Sequence, residues 1–163
     1  MKFTTIRRVA AVFLTAGLSL AMTGSPASAD RPTRVDFTVS EMLPIGTPGD
    51  LSASDVPGCE SGTVTTPDVD TYERGRRTTF TGTKLVDCGD GDSFTMWFAA
   101  TGVECRETIR GFWVLVGGTG SFDGAWGAGR LTGDYVSATG GQGDFCDNAG
   151  VDDRYTGRIR LAG

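Results

Sequence analysis

The sequence has no histidine at all. That absence removes Ser-His-Asp and Cys-His nucleophilic machinery and every histidine-ligated metal site, so any acid–base chemistry falls to carboxylates, Tyr, Lys or Arg. Long apolar runs are missing beyond the N-terminus, and with them any later segment of the roughly 20 apolar residues that a membrane-spanning helix needs. Positive charge is scarce: beyond residue 29, twelve Lys and Arg stand against twenty Asp and Glu, a net charge of −8. Such a surface repels phosphate backbones and anionic lipids, which argues against nucleic acid and membranes as partners, and it keeps an exported protein soluble. The four cysteines lack C-x-x-C spacing, so neither a metal site nor a cofactor is expected.

What is present first is an export signal. Lys2, Arg7 and Arg8 precede a mostly apolar stretch over residues 9–22, too short to span a bilayer, and Ala27-Ser28-Ala29 forms an A-x-A cleavage pattern. Residues 1–29 read as a cleavable secretory signal, and of the 163 residues the 134 that remain, 30–163, are enough for one domain with a modest core. The expected location is extracellular or periplasmic.

Cys59, Cys88, Cys105 and Cys146 all lie in that domain, and an even count in an exported chain of this size reads as two disulfides. Short runs rich in Thr, Val, Phe and Trp are broken by Gly and Asp clusters, and 23 of the 25 glycines follow the signal. This is an all-β pattern, and it predicts an antiparallel meander of seven to eight strands. Seven strands are expected near 33–40, 61–68, 77–86, 93–101, 107–116, 124–132 and 153–161, with a polar turn at 70–77 and an eighth short strand either near 135–138 or in the early loop. If successive strands run antiparallel, Cys59 and Cys88 fall at one end of the sheet and Cys105 and Cys146 at the other. Bridgeable cysteines need Cα atoms within about 7 Å. Of the three possible connectivities this favours Cys59–Cys88 with Cys105–Cys146.

The stretch 114–133 runs from the apolar Val114-Leu115-Val116 through Gly117-Gly118-Thr119-Gly120-Ser121-Phe122 into a strand punctuated by Gly124, Gly127, Gly129 and Gly133. It resembles the strand–turn–strand signature of the allene oxide cyclase-like barrels, the group that includes dirigent proteins and small secreted bacterial proteins of the same kind. The resemblance implies an antiparallel β-barrel of these seven to eight strands and a homo-oligomer, a trimer in those families. Where there is catalysis, it implies isomerisation, cyclisation or steered coupling rather than hydrolysis. The catalytic residues of the plant enzymes lie outside the matching stretch and do not transfer.

Glu107 and Arg110, beside Trp113, are weak candidates for proton transfer; an exposed strand position or a structural ion pair is the commoner role for such residues. Asp87, Asp90 and Asp92, like Asp144, Asp147, Asp152 and Asp153, fall in turn-rich segments without the calcium-loop spacing, so turn formation explains them better than metal binding. Phe94, Met96 and Phe98 share one face of a strand with Trp97 opposite, while the next strand is apolar on both faces, Phe112, Val114 and Val116 against Trp113 and Leu115. One aromatic set, drawn from Phe94, Met96, Phe98, Phe112 and Trp113, lines an interior that holds a small apolar or aromatic molecule. Trp97 or Trp113 then marks a face covered by another subunit. The competing classes are a cofactor-free isomerase or coupling protein, and a structural module with a filled core. Export itself has a direct check: the intact mass of protein recovered from culture supernatant is expected to begin at Asp30, and a secreted form retaining residues 1–29 would contradict the signal reading.

Overall fold

A computed structural model describes residues 31–162; the signal-peptide reading of residues 1–29 lies outside them. The described chain forms nine strands: β1 Thr33–Met42, β2 Gly49–Ser52, β3 Gly62–Thr65, β4 Val69–Arg74, β5 Arg77–Gly89, β6 Asp92–Val103, β7 Thr108–Thr119, β8 Trp126–Val136 and β9 Gly150–Arg160. Every pairing is antiparallel. β1 pairs with β2 and β9, and β3 bonds to both β2 and β5, so eight strands close into a barrel while β4 lies along the first half of β5. Closure leaves this wall without open edges.

Alternation is what the barrel is made from. Val35, Phe37 and Val39 face inward from β1, and Phe94, Met96, Phe98 and Ala100 from β6, all buried. The eighth barrel strand is β2, in the early loop, anchored by buried Leu51. Residues 135–136 instead complete β8. The polar segment 70–77 departs from the expected turn: it stays extended as far as Arg74, and the reversal is confined to Gly75 and Arg76, with Gly75 at φ +62°. β4 buries neither face, so it shows no apolar alternation.

On β7 the choice between two apolar faces is settled by glycine. Trp113 points inward and is fully buried, opposite Gly129 of β8, which itself pairs with Gly157 of β9. A Cβ on Gly129 would come within 2.6 Å of the indole nitrogen, and one on Gly157 within 2.8 Å of the ring. The two glycines make the space that Trp113 occupies. Phe37 and Tyr155 stack at 5.0 Å beside it, and Phe94 lies against Phe122 at 5.0 Å, the latter tucked under the turn at Gly120–Phe122. This aromatic plug fills the barrel from one rim to about mid-height.

Both rims are pinned. Cys59–Cys88 closes the plugged rim and Cys105–Cys146 the opposite one, joining the β6–β7 turn to the loop between β8 and β9. Their loops span 29 and 41 residues, for which chain-entropy arguments assign about 4 kcal/mol each and measured values run at roughly 2 to 4. Replacing Cys59 and Cys88 together by Ser is expected to lower the unfolding free energy in urea by about 2 to 4 kcal/mol while the far-ultraviolet spectrum stays that of the barrel. A loss below about 0.5 kcal/mol would contradict a structural role for that bridge.

Candidate functional site

The plug stops short of the Cys105–Cys146 rim, and there the barrel is hollow. A cavity of about 270 Å³ opens at this end. Its walls are mainly apolar, with Phe80, Phe98, Ile109, Phe145 and Val151 among them, and Met42, Leu43 and Ile45 form a lip on the β1–β2 connection with each side chain about half exposed. Phe145, from the loop that Cys146 anchors, packs edge-on against Tyr135 at 5.9 Å and tilted against Phe80 at 6.0 Å.

Three charged side chains meet at its floor. Lys84 of β5 is 3% exposed and Asp153 of β9 2%, and Glu41 of β1 reaches them with 11% of its side chain exposed. Lys84 Nζ donates to Glu41 Oε2 and, at 3.2 Å, to Thr66 Oγ1, and lies 3.5 Å from Asp153 Oδ2. Thr66 in turn donates to Glu41 Oε1, and Tyr155 donates to Asp153 Oδ2 at 3.2 Å. The Phe98 ring faces the ammonium at 5.1 Å. Charges so deeply buried survive only when paired and hydrogen-bonded, and this set nearly meets that condition. Two polar atoms do not: among the described residues, Asp153 Oδ1 and the Tyr135 hydroxyl have no hydrogen-bond partner. Both residues line the cavity.

Burial dominates the titration of these groups. It pushes the Asp153 carboxyl up to about 6, with the Lys84 charge pulling back and Glu41 adding to the rise. Burial first, and the Asp153 charge second, push Tyr135 up to about 12 and hold Tyr155 well above the usual phenol range.

The structure spreads the residues singled out from the sequence over different places. Phe98 lines the cavity. Phe94 and Met96 lie beneath it in the packed core, and Trp113 belongs to the plug. Phe112 points outward and packs on Trp97 at 5.6 Å, forming with the exposed Val116 an apolar strip on the outer wall. Glu107 and Arg110 are exposed at the rim, where they line a second pocket of about 390 Å³ whose walls are largely polar, unlike those of the mouth cavity; Glu107 accepts from Gln142 Nε2 at 3.0 Å. Asp92 accepts from the Ser121 amide and hydroxyl, and Asp144 from the amides of Cys146 and Asp147, both turn-forming roles. Asp153 is different from the aspartates it was grouped with, because it belongs to the inward row of Val151, Tyr155 and Ile159. Glu41 and Lys84 were not singled out, although Glu41 follows Val35, Phe37 and Val39 on one parity and Lys84 sits between Phe80 and Val86 on another. A charge on an inward position was the available signal. Compared with family models, curated proteins and solved structures, the chain matches none.

The raised Asp153 carboxyl makes stability depend on pH. An unfolded Asp titrates near 4, so the fold prefers the protonated form: the contribution is full below about pH 4 and is lost as pH rises through about 6, up to about 3 kcal/mol in total. In urea melts across this range, Asp153→Asn is expected to gain on the native protein by roughly 1 to 3 kcal/mol between pH 4 and 7. Parallel stability curves for the two would show that Asp153 titrates as an exposed carboxyl does.

Proposed function

We propose that this is an exported barrel that binds one small molecule in its mouth cavity, an apolar or aromatic body against the Phe80–Phe98–Phe145 walls and a polar head on the floor. The observation that carries the reading is the cavity itself: a hollow lined mainly by apolar side chains, two of whose lining residues, Asp153 and Tyr135, carry a buried polar atom without a partner. Its 270 Å³ is more than a structural module with a filled core needs. A dry cavity of about 150 Å³ is enough to admit benzene, so the guest is of one-ring size with a short substituent. The two disulfides are consistent with an oxidising compartment, in keeping with export.

A second reading, a cofactor-free isomerase or coupling protein of the allene oxide cyclase-like kind, draws on the closed antiparallel barrel, the 114–133 resemblance and a floor carboxyl that titrates near 6, close to where a general acid–base group works best. Both readings place the small molecule in the same cavity. A homo-oligomer is proposed on the outer strip of Trp97, Phe112 and Val116, which leaves apolar surface exposed on a single chain.

The test uses the mature protein and toluene, followed by amide chemical shifts. Binding is expected to perturb residues around the mouth, and Val151→Trp, which fills the cavity from β9, is expected to abolish it without unfolding the barrel. Perturbations confined to the outer wall, or binding unchanged in the Trp variant, would refute the cavity as the site. Native mass spectrometry of the same sample reads the oligomer mass, where a monomer would refute the subunit interface.

A further inference from the structure

The floor of the cavity carries more than a polar patch, because its hydrogen-bonding capacity is unevenly spent. Lys84, the one cationic donor there among the described residues, has Glu41, Thr66 and Asp153 in reach of its three N–H bonds. Thr66 commits its hydroxyl hydrogen to Glu41, and Thr47 commits its own to the Pro44 carbonyl. Asn148 directs its side-chain amide to the carbonyls of Asp144 and Phe145, so toward a guest it has only an acceptor oxygen to offer. What is left is acceptor-rich: Asp153 Oδ1, unpartnered on a residue 98% buried, and the Tyr135 hydroxyl, which can accept as well as donate its one hydrogen, unpartnered on a residue 93% buried. Charge points the same way, since two carboxylates face one ammonium and the ionised floor is one positive charge short. The walls around it are aromatic faces, which attract cations.

We infer that the head group of the guest is a protonated amine, seated between Asp153 Oδ1 and the Tyr135 oxygen. This rests on the cavity-binding reading and narrows it to one ligand class, small apolar amines. An ammonium donates to both unspent acceptors and brings the floor to neutrality. A carboxylate head would meet Glu41 and Asp153 with no free cation between them. Entry of the amine favours the ionised form of Asp153, whose charged and titratable neighbours are Glu41 on β1, Lys84 across the barrel on β5, Tyr135 on β8 and Tyr155 on β9 itself. Since that carboxyl titrates near 6, amine affinity rises with pH through this value.

Three probes of one shape test the assignment: 2-phenylethylamine, 2-phenylethanol and phenylacetate, titrated calorimetrically into the mature protein. The amine is expected to bind at least tenfold more tightly than the alcohol at pH 7.5, with phenylacetate the weakest. The advantage should shrink toward parity by pH 5. Asp153→Asn is expected to abolish it, and Tyr135→Phe, which keeps the ring, to reduce it several-fold. Toluene reports in each variant whether the cavity is still formed. An alcohol that binds as tightly as the amine, or an amine that binds more tightly on acidification, would overturn the ammonium assignment and leave cavity binding standing. If toluene also fails to bind the native protein, the binding reading falls with it.

Discussion

An eight-stranded barrel has a bore just wide enough that side chains can fill it or leave a guest-sized hollow, and here Trp113 decides between the two. Its ring needs the space vacated by Gly129 and Gly157, one opposite it on β8 and the next beyond on β9. With that indole in place, Phe37, Tyr155, Phe94 and Phe122 close over it and one half of the interior is solid. The other half cannot be filled by the same residues. Its wall includes Gly150 as well as Phe80 and Ile109, and a side chain at that glycine would collide with Met42, as side chains at nearby Gly102 and Gly133 would with Tyr135 and Asp153. Plug and hollow are thus two outcomes of one rule, the placing of glycines opposite large residues.

Placing Lys84, Glu41 and Asp153 at the boundary between these halves is costly. Replacing such a cluster by apolar residues of similar volume is often neutral or stabilising, so its presence is not explained by stability. Asp153 in particular keeps one oxygen bonded to Tyr155 and the other bare. A carboxyl held this way keeps hydrogen-bonding capacity that the protein chain itself does not use.

Much of this was legible in the sequence. The inward rows of β1, β6 and β9 follow directly from their alternation, and the disulfide pairing follows from counting strand ends, because both rest on the period-two geometry of a strand. The faces of β7 were not legible, since both are apolar and only the register that sets Trp113 against Gly129 separates them. β4 was hidden because neither of its faces is buried. The floor was missed for a different reason. Asp153 follows a loop rich in aspartate, and reading it by its neighbours in sequence concealed that it shares the parity of Tyr155 and Ile159. Lys84 and Glu41 carry a different signal, since each places a charge in an otherwise inward apolar row.

The bridge at the hollow end also divides the work of the mouth unequally. Cys105–Cys146 ties the β6–β7 turn to the segment bearing Phe145 and Asn148, so these two parts of the rim are covalently joined. The facing half, from Met42 to Thr47, has no such tether and is held mainly by the Leu43 amide on the Ala149 carbonyl and by the turn that Thr47 makes with Pro44. The rim is therefore asymmetric: one arc is tied covalently through sulfur, and the arc facing it rests on hydrogen bonds.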